Sequence, residues 1–429
     1  MLATHPLRES LHNEVHARPY EQLSAPLTLS HLALLTPDPV ASRAHLHRLL
    51  EARHLPLPST GASHLSVDLG GVRLRWEQHT EFQTFTFWRT PAPGATGLGD
   101  TALAHVSSEW LHALPGQWLV GLHMIVADAL AESAVDAVAR GFLDETGLVG
   151  AAVSDGQGLV VTDFRLHADS FARQLLNVQG MNPRRLGRTV QRLLEIETYR
   201  MMALLGLPVA RQVAATLQYA ERDLARVAEQ IRSAKQESEP ELLRQLTQLA
   251  GEVESLYAAT HARFSASSAY FELVQRRIEE LHEVRHGGLQ TLGEFMDRRL
   301  APAMQTCAWA ARRQQGLSER IARISSLLRT RVEIEQQQSS QGLLDAMNRR
   351  QRAQMLLQSA VEGLSVAAVT YYGAGLVGYV AKGAKAVGMA VSPDLATALS
   401  IPLIAFAFWL ALRRVRRRAL SAADRAHIT

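Results

Sequence analysis

The chain has a single cysteine, Cys307, among its 429 residues. That excludes a disulfide framework and any zinc site built from cysteine pairs, and a small residue at a helix contact is the plainest reading of it. Lysine is almost missing too, occurring only at 235, 382 and 385, so arginine carries nearly all the positive charge. Aromatic residues make up 6% of the chain, and no basic stripe is interleaved with them, which argues against a nucleic-acid partner. The opening stretch MLATHPLRESLHNEVHARP holds no apolar run, so no secretory signal is expected there. Gly-rich phosphate loops, a GxSxG elbow and kinase motifs are all lacking. No catalytic residue is assigned, the chain is not expected to be an enzyme, and no cofactor is called for, a divalent cation being the one ligand left open.

Two apolar segments stand near the C-terminal end, Met355–Val380 and Leu395–Leu412, with Ala381–Asp394 between them. A membrane-crossing helix needs about 20 mainly apolar residues, so the pair reads as a two-span hairpin in a lipid bilayer. Arg349, Arg350 and Arg352 precede the first segment and Arg413, Arg414, Arg416, Arg417 and Arg418 follow the second, against only Lys382 and Lys385 in the loop. Arginine and lysine are retained on the cytoplasmic side. The expected location is therefore a bacterial inner membrane, multi-pass, with both termini cytoplasmic.

Residues 1–168 read as a cytoplasmic domain of mixed strands and helices. Strands are predicted at Leu27–Leu35, Leu65–Leu69, Val72–Gln78, Phe82–Trp88, Trp118–Val126, Leu148–Val153 and Leu159–Phe164, with turns at Gly70-Gly71 and Asp155–Gly158. Phe82, Thr84, Thr86 and Trp88 alternate with Phe85 and Phe87, as a hairpin strand requires. Helices are predicted at Val40–Arg53, Asp100–Ala113 and Asp128–Phe142. From about Ser170 strand signals vanish, and 169–353 reads as a coiled-coil-like helical stalk, with helices at Pro183–Leu205, Pro208–Ser233, Glu239–Glu283, Gly287–Gln315 and Leu317–Arg352. The polar run EQQQSSQ (335–341) is expected to interrupt it as a solvated bend or the lining of a wet interior. Residues 354–412 form the hairpin and 413–429 a basic cytoplasmic tail. The fold class is α+β.

Several strings carry a family resemblance: HPLRESLHNEVHARP (5–19), RWEQHTEF (75–82), GRTVQRLLEIETYRMMALLGLP (187–208), LLRTRVEIE (327–335) and LQSAVEGLSVAAVTYYGAGLVGY (357–379). Together they resemble the uncharacterised bacterial membrane-anchored family known only as a domain of unknown function, number thirty-four twenty-two. That resemblance implies membrane attachment. The order of parts is similar in layout to the CorA magnesium channel superfamily, in which subunits form a pentamer and the first span lines the pore. Where that superfamily ends its first span with Tyr-Gly-Met-Asn, this chain has Tyr372-Gly373-Ala374-Gly375.

The candidate site follows from the first span. Small residues such as Gly363, Ala367, Gly373, Gly375 and Gly378 let helices approach closely, which points to a homo-oligomer and either to tight packing, with Gly363, Ala367 and Gly378 as packing positions, or to a pore. Glu362 is the only ionisable residue between Met355 and Val380. A carboxylate there is costly unless it meets water or a partner; it either snorkels to the interface or forms a ring on an ion path. Thr370, Tyr371 and Tyr372 would supply hydroxyls to that path, and Gly373 and Gly375 would give it room. Two functions stay open: an oligomeric ion channel or transporter of CorA-like layout with a regulatory cytoplasmic domain, or a scaffold for which the hairpin is only an anchor. His12 and His16 have the i,i+4 spacing of metal ligands, although Pro19 ends any helix at once. His79 and Glu81 at a predicted hairpin tip are either an acid–base pair or turn residues. Arg188, Arg192, Glu195, Glu197 and Arg200 crowd one helix, as a salt-bridged contact would.

Overall fold

The alternation in residues 73–89 becomes a hairpin with two unlike faces. The computed structural model describes residues 4–9, 11–12, 19–36, 38–59, 61–92, 101–233 and 238–426, and the chain falls into two compact units, Met1–Ser326 and Leu327–Thr429. Unit 1 holds a nine-stranded sheet. Its strands are β1 (Leu27–Leu35), β2 (His64–Asp68), β3 (Arg73–Gln78), β4 (Phe82–Arg89), β5 (Gln117–Asp128), β6 (Val149–Val153), β7 (Gly158–Thr162), β8 (Ala172–Val178) and β9 (Val284–Arg285), in the order β2-β3-β4-β1-β5-β8-β7-β6-β9. Among these strands only β5 and β8 pair in parallel.

One face of the β2–β5 half is apolar. Leu74 and Trp76 pair with Phe87 and Phe85, and these residues pack with Leu32 and Leu34 against Leu46 and Leu50 of α1 (Pro39–Ala52). Helix α1 starts where Asp38 accepts from the amides of Val40 and Ala41 at 2.9 and 3.0 Å, with Pro39 in the first turn, a position that tolerates a missing N–H. Gln83 puts an amide side chain on this face. It donates to Ser42 Oγ at 2.8 Å and accepts from the Trp76 indole at 3.3 Å.

The opposite face is polar and equally buried. Strand pairing sets Arg75, Thr86 and His31 in one row across β3, β4 and β1, with Glu77, Thr84 and Ala33 in the next. Helix α4 (Pro183–Leu204), begun by Asn182 accepting from the Arg185 amide at 2.9 Å, covers them. Segment 20–23 crosses the start of α4, tied by Leu23 N–H to Pro183 O and Arg188 to the Tyr20 hydroxyl, each at 3.1 Å. Gly187 is required at this crossing: a methyl group there would stand 1.7 Å from the Glu21 carbonyl oxygen.

The remaining helices are α2 (Ser108–His112), α3 (Glu132–Phe142), α5 (Gly206–Ser233), α6 (Glu239–Leu281), α7 (Leu292–Arg299), α8 (Ala301–Ala386) and α9 (Pro393–Ala426). Helix α6 packs on both α4 and α5. Cys307 is buried in α8, and a methyl group on Gly206 would come within 3.2 Å of its sulfur.

The fold departs from the elements expected from sequence at 172–178, 100–113, 287–315 and 335–341. Residues 172–178 are a buried strand, β8, because a central position beside β5 outweighs the helix-forming tendency of Ala-Arg-Gln-Leu-Leu. The segment 100–113 is broken by extended Val106 into a 3-10 turn and the short α2, which Ser107 caps. Residues 287–315 are not one helix, since a capping box of Thr291 and Glu294 starts α7 afresh. The run EQQQSSQ bends nothing; α8 passes through it with nearly every residue in the run exposed.

Gly187→Ala is expected to destabilise the protein by about 1–3 kcal/mol, the usual cost of forcing an extra carbon into close packing. Gly251→Ala, on α6 with open space around it, should be neutral or stabilise by about 0.4–1 kcal/mol. Melting temperatures of the two variants check the contrast.

Candidate functional site

The hairpin residues singled out from sequence fall into two groups. A groove of about 1100 Å³ in unit 2 is lined by Gly363, Ala367, Thr370, Tyr371, Tyr372 and Gly375, with Ile401 and Ala405 of α9 opposite. Gly363 and Gly375 have open space where a side chain would stand. Gly373 and Gly378 instead face α9, where an added methyl would meet Ile404 at 3.1 Å and Thr397 at 2.8 Å. The Thr370 hydroxyl is spent on its own helix, donating to Val366 O at 2.7 Å. Tyr371 and Tyr372 meet edge to face and are exposed, and Glu362 accepts from Gln358 at 3.3 Å. Helix α8 runs six residues past Val380 to Ala386, so the non-helical loop shrinks to 387–392.

The metal reading at His12 and His16 is only partly covered, because His16 lies outside the described residues and His12 is exposed. Among the described residues no group of three or more His, Cys, Asp or Glu is placed to hold a metal.

Unit 1 contains a second site that the sequence reading missed. Between the polar sheet face and α4 lies a cavity of about 270 Å³. From α4 it receives Gly187, Val190, Gln191, Leu194, Glu195 and Thr198, a single stripe at helical spacing. From the sheet come His31, Arg75, Glu77, Thr84, Thr86 and Trp88, and from α6 comes Arg277. Arg75 pairs with Glu77 at 2.9 Å, while Arg277 pairs with Glu195 and reaches Glu280 at 3.0 Å. Arg192 also reaches Glu280, at 3.1 Å. Of the charged cluster on α4, Arg192 and Glu195 dock onto α6, while Glu197 and Arg200 pair with each other and Arg188 holds Tyr20. His79, stacked on Phe82 at 4.3 Å, lines the cavity, and Glu81 beside it accepts from Arg263 and Tyr270 of α6, each at 3.0 Å.

His31 organises the floor. Its Nδ1 lies 2.8 Å from Thr86 Oγ1 and its Nε2 lies 3.0 Å from Thr198 Oγ1. The Thr198 hydroxyl already donates to Leu194 O at 2.9 Å. It can therefore only accept from the ring, which assigns the proton to Nε2 and makes Nδ1 the acceptor from Thr86. Burial above all, then the charges of His79 and Arg75, hold the imidazole pKa down at about 3. Tyr199, over the same cavity, is pushed up by burial and next by the Glu195 charge.

The strings that carry the family resemblance also supply most of this cavity. Arg75, Glu77, His79 and Phe82 all lie in RWEQHTEF, and every cavity residue of α4 lies in GRTVQRLLEIETYRMMALLGLP. Polar residues at Thr84 and Thr86 look like an outward strand face, so alternation alone hides the helix that covers them.

The His31 assignment has a pH consequence. With its pKa at about 3 in the fold and 6.5 in the unfolded chain, only the unfolded chain takes up the proton between those values. Stability is unaffected above pH 6.5 and falls as pH drops below it, approaching about 1.4 kcal/mol per pH unit. His31→Gln should flatten the acid limb of the melting-temperature profile by that slope.

No curated protein and no solved structure matches the chain. A family profile covers residues 3–419. The chain therefore belongs to the family described as "Protein of unknown function (DUF3422)".

Proposed function

We propose that the protein is a membrane-anchored assembly protein: its hairpin crosses a bacterial inner membrane twice, pairs with the hairpin of a second copy, and keeps unit 1 in the cytoplasm. The observation that carries this reading is the apolar surface of unit 2. Among the described residues two helices are long and apolar enough to cross a membrane, and only 11% and 6% of their apolar windows are buried. A core helix of a soluble protein would be mostly buried, and a helix apolar all round belongs in a lipid or protein interior. The groove that Gly363 and Gly375 leave open suits close approach of a second helix, since lipid supplies no hydrophobic force to drive helices together.

A second reading, conduction, draws on one observation. Helix α8 is unbroken from Ala301 to Ala386, so the stalk runs directly into the first apolar segment. Glu362 would form a ring of carboxylates on the axis of a symmetric oligomer such as a pentamer. The anchoring reading fits the geometry better, because the Thr370 hydroxyl is committed to its own backbone and Gly373 and Gly378 are used within the hairpin.

Mass measurement of the full chain in nanodiscs tests the assembly. An oligomer is expected, and Gly363→Leu with Gly375→Leu should weaken it about tenfold or more, equivalent to ~1.4 kcal/mol. A monomeric native chain, or release from the membrane by carbonate, sinks the proposal. Cation flux in proteoliposomes that Glu362→Gln abolishes would decide for conduction.

A further inference from the structure

The cavity under α4 differs from a packing gap in three ways. Its floor and roof carry charges of both signs, Arg75 buried and the others partly buried, each guanidinium already matched by a carboxylate: Arg75 by Glu77, Arg277 by Glu195. Thr84, only 4% exposed, lines it with a hydroxyl that has no hydrogen-bond partner among the described residues. Such orphans are rare in native proteins and ask for an explanation. Its volume of about 270 Å³ is far above the roughly 10–15 Å³ that a single water needs, which leaves room for a small organic molecule.

We propose that this cavity binds a small zwitterion of the amino-acid type, its carboxylate toward the guanidinium groups of Arg75 and Arg277, its ammonium toward Glu77 and Glu195, and the Thr84 hydroxyl completing its hydrogen bonds. The charge balance selects this class. With Glu21 the lining holds three carboxylates against two guanidinium groups, which disfavours phosphates and other anions. A lone amine drawn to Glu77 and Glu195 would compete with Arg75 and Arg277 for the carboxylates that now pair them, and a largely desolvated charge that loses its counterpart is costly. A zwitterion set against the two ion pairs answers both signs and adds no net charge. His31 contributes none either, since it is held neutral by Thr86 and Thr198. Trp88 and Phe82, towards opposite ends of β4, put an aromatic ring at each end of the cavity. This site is independent of what the hairpin does.

The test uses the full-length protein in nanodiscs, with equilibrium dialysis and thermal shift against the common amino acids, the amines and carboxylic acids that share their side chains, glucose and inorganic phosphate. At least one amino acid should bind saturably, with its amine and its acid weaker by about tenfold or more, because each leaves buried groups of the site unpaired. Thr84→Val should weaken that binding several-fold while raising the melting temperature of the unliganded protein, since it removes a hydroxyl that lacks a partner. A merely structural Thr84 would not move the two readouts in opposite directions. The proposal falls if no amino acid binds, if an amine, acid, glucose or phosphate binds as well, or if Thr84→Val leaves the affinity unchanged.

Discussion

Unit 1 depends on one helix being laid across a polar sheet face. Strand rows ending in His31, Thr84, Thr86, Arg75 and Glu77 are what an open antiparallel sheet would turn to water. Here α4 lies over them, and buried polar groups without partners are expensive. The helix answers with Thr198 for His31 and, through Glu195, with an anchor for Arg277. Gly187 permits the approach of segment 20–23 that closes one end. The apolar core on the other face, with Trp76, Phe85 and Phe87 fully buried, makes the sheet rigid enough for this arrangement to keep its spacing.

Unit 2 is built the other way round. There the apolar side chains point outward along most of both helices, with Leu356, Leu364, Leu376 and Leu403 all largely exposed. Its polar atoms turn inward to the backbone: Ser365, Thr370 and Thr397 each donate to a carbonyl one turn earlier. Such bonds satisfy these hydroxyls within their own helix. One chain thus contains a body organised by buried polarity and a hairpin organised by exposed apolarity.

The α+β class was legible because the clearest elements are governed by local pattern. Strand β1 has the bounds read from sequence, Leu27–Leu35, and the β3–β4 hairpin follows its alternation. What was not legible depends on neighbours distant in sequence. Strand β8 reads as helix until β5 is beside it. The face carrying Thr84 and Thr86 reads as surface until α4, a hundred residues on, is in place. The polar run 335–341 suggested a break, but glutamine and glutamate are good helix formers and nothing there opposes the helix. The hairpin positions were legible as a small-residue pattern; which glycines face α9 and which stay open required coordinates.

Strand β9 carries a consequence for synthesis. Val284–Arg285 pairs with β6 only after the whole of α6 has intervened. A nascent chain still short of residue 284 exposes part of the β6 edge, and an unpaired edge is a template for joining another chain. Polysomes crowd such chains together, so the ribosome must deliver the residues just beyond α6 before this edge is safe from its neighbours.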